Sequence, residues 1–472
     1  MKIQKNCVMC SMFFLLLSLF CINISYAEYE EFQFIKTHGA LDWEFFMIDG
    51  DYFIVVANRT DGSGTAINSV IYKWTGASFT EFQNISTIGI VDWEYFIING
   101  NSYLVAANFY NYSTSSYQLD SKIYKWNNNS FVEFQTIQTN GAHDWEYFKI
   151  NEESYLVVAN YRTTSTHQVS SKIYKWNGNS FFEFQSIPTN GAKDWKHITI
   201  GEDNYIIVSN YYNDTTHMIN SKIYKWNGSS FSVFQSIPTL GATELDCFSF
   251  NGNIYLSISN GYDGTSHNIK SSIYKWDGSL FNEFQTIPTN GNQDSTFFTI
   301  NNELFLAIAN FFNGSTHSID SKIYKFISDT FVEYQSIPTN GAYSLKSFKI
   351  DCQNYLILAN NSDGSTFNLN SKIYKLKNDC EYSDKDNDGV IDIFDNDSTT
   401  PEGTAVYADG RAAIDLYNQI EELSSTITKM YTEEQVLTKI QAILECCDTD
   451  NNGKVTLPEI IKALETVAGV KK

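Results

Sequence analysis

A fifty-residue period constrains this chain more than any other feature. The tetrapeptide Ile-Tyr-Lys-Trp starts at Ile71, Ile123, Ile173, Ile223 and Ile273, and recurs as Ile-Tyr-Lys-Phe at Ile323 and Ile-Tyr-Lys-Leu at Ile373. A second marker, Glu-Phe-Gln or a close variant, starts at Glu31, Glu81, Glu133, Glu183, Val233, Glu283 and Glu333. Both markers count seven. Self-similarity at a fixed period of this length is the signature of an array of equivalent supersecondary units.

Each unit holds four short runs rich in aromatic and β-branched residues and bounded by turn residues, which is how strands read. In the third repeat they are Phe131–Ile137, Trp145–Ile150, Tyr155–Asn160 and Ser171–Trp176. Asn-Gly pairs at Asn177-Gly178, Asn227-Gly228, Asn99-Gly100 and Asn251-Gly252 supply the positive φ angles of tight hairpins. Thr-Asn-Gly-Ala segments such as Thr139–Ala142 join longer-range neighbours. Four antiparallel strands repeated seven times predict an all-β seven-bladed β-propeller over residues 28–377; an open β-solenoid is the alternative. The chain enters on a lone Glu-Phe-Gln strand (Glu31–Ile35) and leaves on a lone Ile-Tyr-Lys strand (Ser371–Leu376). Elsewhere these two are hairpin partners, so the first strand is expected to complete the last sheet and lock the ring.

The repeat resembles the EAR, or epitempin (EPTP), repeat. The third copy carries the pattern as Phe134-Gln135, Gly141-Ala142, Asp144-Trp145-Glu146, Tyr155–Asn160 and Ser171–Trp176, and the resemblance spans all seven copies. Later copies drift, with Glu244-Leu245, Asp294-Ser295 and Ser344-Leu345 in place of Asp-Trp. The resemblance implies a propeller that binds other extracellular proteins, as in the C-terminal halves of the leucine-rich glioma-inactivated proteins. It carries no active site with it.

The N-terminus reads as a secretory signal over residues 1–27. Lys2 and Lys5 precede an apolar run from Cys7 to Ile24, and Ser25-Tyr26-Ala27 places small residues where a signal peptidase reads. An uncleaved membrane anchor is the alternative; no other segment is apolar enough to span a membrane, so none is expected after cleavage. The full chain carries a net charge of −22, which opposes binding to nucleic acid or anionic lipid. Five cysteines remain beyond the signal, too few for a disulfide framework. Cys352 and Cys380 flank the last repeat and are candidates for a disulfide in an oxidising compartment. Cys247 stands at an aromatic position of its repeat and reads as a buried thiol.

Residues 378–472 hold 20 acidic and 8 basic residues, so half the net charge sits in a fifth of the chain. The spacing of these carboxylates points to calcium. Residues 448–459 match an EF-hand loop, with Asp448, Asp450 and Asn452 at positions 1, 3 and 5 and Gly453 at the sharp turn. The Lys454 carbonyl, Thr456 and the bidentate Glu459 complete the ligand set. Flanking segments 433–447 and 459–467 have helical apolar spacing, so residues 404–472 are expected to form a small α-helical EF-hand segment. A second run over residues 384–397 supplies Asp384, Asp386, Asp388, Asp392, Asp395 and Asp397, with Gly389 at the turn and Val390 included in the candidate ligand set. It resembles a thrombospondin type 3 repeat and makes residues 378–403 a calcium-binding linker; a disordered acidic linker is the alternative. Ca²⁺ is the one cofactor expected.

Two periodic features invite a catalytic reading. Asp42-Trp43, Asp92-Trp93, Asp144-Trp145 and Asp194-Trp195 read as blade geometry, with Asp capping a turn and Trp packing between sheets; the exception would be an acidic ring lining the channel. His167, His217, His267 and His317 lie 50 residues apart in polar loops, too far apart in space for one metal to join them. The sequence contains no Gly-x-Ser-x-Gly elbow, His-Glu-x-x-His or phosphate loop. The expected function is a secreted, calcium-binding, non-catalytic interaction or adhesion protein whose partner is an extracellular or cell-surface protein. A carbohydrate-binding propeller, stacking sugars on Tyr110, Tyr161 and Tyr211-Tyr212, and a secreted polysaccharide-active enzyme are the alternatives.

Overall fold

The computed structural model describes residues 28–377 and Asp379. They form 28 strands, β1 to β28, in seven four-stranded antiparallel sheets. The first sheet runs outward from the lumen as β2 (Ala40–Ile48), β3 (Asp51–Asn58), β4 (Ala66–Trp74) and β5 (Phe79–Ile88). The six others repeat it, with inner strands β6 (Ile90–Ile98), β10 (Ala142–Ile150), β14 (Ala192–Ile200), β18 (Ala242–Phe250), β22 (Asn292–Ile300) and β26 (Ala342–Ile350). Each inner strand contacts the next, and β26 contacts β2, so the sheets close into a ring of seven blades.

The closing sheet has the predicted form. Its order is β1 (Tyr29–Lys36), β28 (Asn370–Leu376), β27 (Gln353–Asn360) and β26, with β1 antiparallel to β28 from Tyr29 opposite Leu376 to Lys36 opposite Asn370. The first strand thus supplies the outer strand of the last blade.

The Glu-Phe-Gln marker has a structural cause. The Gln33 amide donates to the Phe79 carbonyl at 2.8 Å and accepts from the Phe79 N–H at 2.9 Å, joining the outer strands of neighbouring blades. The same two-way contact joins Gln83 to Phe131, Gln135 to Phe181, Gln185 to Phe231, Gln235 to Phe281 and Gln285 to Phe331. Gln335 completes the set on Tyr29, with both distances 2.9 Å. A planar amide offers one donor and one acceptor side by side, which matches the two main-chain groups of a single residue.

The core lies in the seams between blades. Trp43, Trp93, Trp145 and Trp195 are at most 1% exposed and pack toward the preceding blade, as Trp145 does against Phe96, Val105 and Ala107. Leu245 and Leu345 fill the same place in the drifted repeats. Ser295 does not fill it. There a buried polar network replaces the indole: Ser259 donates to Ser295 at 2.8 Å, Ser257 to the Ser295 carbonyl at 3.2 Å, and the Asn292 amide to Ser295 at 2.8 Å.

Two kinds of Asn-Gly hairpin emerge where the sequence suggested one. At Asn99-Gly100 and Asn251-Gly252 both residues have positive φ. At Asn177-Gly178 only Gly178 does, and the Asn177 side chain instead accepts the N–H groups of Asn179 and Ser180 at 2.9 Å. This is an Asx turn closing a four-residue loop.

Candidate functional site

Each inner strand begins with a β-bulge, as between Ala142 and Asp144. The extra residue re-aims the side chains that follow. Trp145 turns to the preceding blade, while Asp144 and Glu146 turn toward the following blade and the lumen. Repetition stacks two tiers of polar side chains around a cavity of about 230 Å³. The upper tier holds Asp42, Asp92, Asp144, Asp194, Glu244 and Asp294, with Ser344 in the seventh place. The lower tier holds Glu94, Glu146, Lys196, Asp246, Thr296 and Lys346, and Glu44 joins it through an ion pair to Lys346 at 3.4 Å.

The acidic ring is therefore what the Asp-Trp repeat builds, and the expectation of an Asp capping a turn is corrected. The reason is a seam contact. Asp144 accepts the Trp195 N–H at 2.9 Å, Asp92 that of Trp145 at 3.1 Å, Asp194 that of Leu245 at 2.8 Å and Asp294 that of Leu345 at 2.7 Å. In the lower tier Glu94 accepts from Tyr147, Glu146 from His197 and Asp246 from Phe297. The Trp half of the expectation holds.

Crowded carboxylates withdrawn from water resist ionisation. Burial pushes the Asp144 carboxyl up to about 8, Glu146 adding to the effect. Burial raises Glu44 to about 7 and Asp294 to about 6 although Lys346 draws both down. Asp92, Glu94, Asp194 and Glu244 are raised by burial and then by neighbouring carboxylates. The Lys196 ammonium is raised, by Glu146 first. Lys346 is also raised, burial being outweighed by Glu44, Asp42, Asp294 and Asp92. Among the described residues no group of three or more His, Cys, Asp or Glu side chains is disposed to hold a metal ion.

One mouth of the lumen carries a plug of aromatic and basic side chains. His143 reaches across to the Tyr343 hydroxyl at 3.4 Å, and Lys193 extends to the Gln293 side-chain amide oxygen at 3.5 Å while lying over the Tyr211 ring at 4.4 Å. Leu41, Val91 and Phe109 form its apolar part, backed by Tyr110, Tyr161 and Tyr343. Burial, then Arg59, lowers the Lys193 ammonium to about 7; burial lowers the His143 imidazole as well.

The periodic histidines sit in the same face and stitch neighbouring blades. The His217 ring stacks on Tyr212 at 4.5 Å, meets Tyr262 of the next blade edge-on at 5.0 Å, and donates through Nδ1 to the Tyr211 carbonyl. His267 and His317 make the equivalent bonds to Gly261 and Phe311. His167 differs, facing Asp214 of the next blade at 2.6 Å. The exposure expected of Tyr110, Tyr161, Tyr211 and Tyr212 is corrected: all four are half-buried rings. Tyr112 is the exposed tyrosine of this region, at 54%.

The candidate calcium ligands at 384–397 and 448–459 lie outside the described residues. Cys352, in the turn between β26 and β27, is disulfide-bonded; its partner lies outside the described residues, as does Cys380. Cys247 is free and half-buried, and burial raises its thiol.

The EPTP domain family matches residues 29–75, 78–127, 130–177, 180–227, 230–277, 280–326 and 330–376, one copy for each sequence repeat. Two relatives are each called thrombospondin-type laminin G domain and EAR repeat-containing protein. The mouse protein is 51% identical over 146 residues, covering 29% of this chain and 22% of the relative. The human protein is 35% identical over 133 residues, covering 28% and 12%. The matched parts are thus a minor share of those relatives' length. The crystal structure of Saccharomyces cerevisiae Sqt1 overlays with a TM-score of 0.42 at 11% identity, over 69% of this chain and 81% of that one.

Proposed function

Because the chain belongs to the EPTP domain family, we propose that it is a non-catalytic interaction protein, secreted, whose propeller binds an extracellular or cell-surface protein and whose C-terminal segment binds Ca²⁺. The observation that carries the non-catalytic part is the use to which the lumen carboxylates are put. Asp92, Asp144, Asp194 and Asp294 each accept a main-chain N–H from the next blade, so the most concentrated acidic groups of the propeller serve as seam bonds. A catalytic pair would instead present its oxygens to a substrate.

Calcium rests on sequence spacing. Asp448, Asp450, Asn452, Lys454, Thr456 and Glu459 would supply oxygen ligands in EF-hand order, and the 384–397 run a second set. Secretion is supported by the N-terminal signal pattern and by the disulfide at Cys352, since disulfides persist in oxidising compartments. The net charge argues against nucleic acid as partner.

The test is capture of cell-surface material by the purified mature protein, in calcium and again in EGTA. Capture of a discrete protein in calcium, weakened by EGTA, supports the whole reading. Protein capture indifferent to EGTA assigns binding to the propeller alone. Capture of polysaccharide only, or turnover of it, overturns the reading.

A further inference from the structure

We propose that Lys196 and Lys346 are resident counter-cations of the lumen, and that Lys346 makes the seam between the last and first blades a pH-sensitive latch. At the lower-tier position, where Glu44, Glu94, Glu146 and Asp246 are acidic, two blades place lysine instead, three blades apart in the ring. Lys346 lies 3.4 Å from Glu44 and Lys196 lies 3.9 Å from Asp246. Carboxylates that line one cavity repel one another, and a tethered ammonium relieves that repulsion with no ion drawn from solution.

The closing seam depends on this most. The upper-tier residue of the last blade is Ser344, which cannot accept as a carboxylate does; it donates to Asp42 at 3.1 Å. The Lys346–Glu44 pair lies beside it. On the lumen side this seam is thus joined by two side-chain contacts, where β6, β10 and β14 receive carboxylate-to-main-chain bonds from their neighbours. The charged and titratable groups facing Lys346 are Asp42 and Glu44 on β2, Asp92 and Glu94 on β6, and Asp294 on β22. Across the lumen stand Asp144 and Glu146 on β10, Lys196 on β14, and Glu244 and Asp246 on β18.

The sign of the pH effect follows from linkage. Carboxyls held above their ordinary values bind more protons folded than unfolded. Their contribution is present in acid and is lost as pH rises through about 6 at Asp294, 7 at Glu44 and 8 at Asp144. Lys346 stays charged through this window. His143 and Lys193, held low, oppose the trend as pH falls. Variants must therefore be compared with the native chain at each pH.

The experiment is thermal unfolding of the full chain from pH 5 to pH 8.5, with EDTA in every sample so that the tail is equally metal-free throughout. Lys346→Met keeps the chain length and removes the charge. Its Tm is expected to fall at least about 3 °C below the native value at pH 8, and the gap to close toward pH 5 as the carboxyls take up protons. Lys346→Arg should track the native chain, and Lys73→Met, which breaks the exposed pair with Asp51 and the ammonium's contact over the Phe53 ring, should show no pH-dependent deficit. A deficit equal at pH 5 and pH 8 would mean lost packing and would overturn the proposal, as would no deficit at pH 8. If Lys346→Met fails to fold at pH 8, recovery at pH 5 supports the latch and failure at both overturns it.

Discussion

At the scale of single residues, the chain repeats one solution seven times and departs from it where the ring closes. Gln335 makes the same amide contact as its six counterparts, but onto Tyr29, some 300 residues earlier in the chain. Each hydrogen bond is worth about 0.5–1.5 kcal/mol net. Gln335→Ala is therefore expected to cost about 1–3 kcal/mol, read as a lower denaturation midpoint in urea. Gly291 illustrates a different constraint. Its φ is +57° and an added Cβ would stand 2.8 Å from the Phe312 carbonyl oxygen. Gly291→Ala should lower the melting temperature even though it adds only a methyl group. The carboxylates were the residues sequence reading misplaced. Asp144 follows a bulge, and a one-residue shift in register moves a side chain to the other face without altering the pattern of residue types. Its partner, the Trp195 N–H, lies 51 residues away in the chain. The signal that could have found the ring was an acidic residue recurring at one position in six of the seven repeats, followed two residues later by Glu in the first three.

At the scale of the element, strand existence and pairing were legible because aromatic and β-branched runs between turn residues leave few other options. The third repeat shows the limits of that reading: its first strand is Phe131–Asn140, three residues longer than the apolar pattern suggested, because Thr139 and Asn140 also pair with the neighbouring strand. The loops were less legible. Tyrosines and histidines in polar segments look exposed, yet here they interleave between blades, where the contacts come from residues about fifty positions away. Seam filling carries a prediction of its own. Trp145 is 1% exposed between two blades, so Trp145→Ala should cost about 3–5 kcal/mol, measured by chemical denaturation. Ser295→Ala should instead strand the donors of Ser259 and Asn292, and cost about 1–3 kcal/mol through unmet hydrogen bonding.

At the scale of the whole molecule, a ring of seven blades leaves no covalent link where β1 meets β28. Closure is a matter of strand pairing, the Gln335 contact and the ion pairs of Lys372 with Glu31, Lys375 with Glu30 and Lys377 with Glu28. The calcium reading belongs to this scale as well. Glu459→Gln should weaken calcium binding to the full chain while leaving the propeller's unfolding in chelator unchanged, as followed by calorimetry with and without calcium. Every function assigned to the propeller presupposes that its first strand closes the ring. The most direct test is calorimetric unfolding of the mature chain without residues 28–38, beside the intact chain. Strand closure predicts that the propeller's cooperative transition is lost or falls by tens of degrees. An unchanged transition would contradict it, and would mean that the six blades with a continuous chain hold the ring without β1.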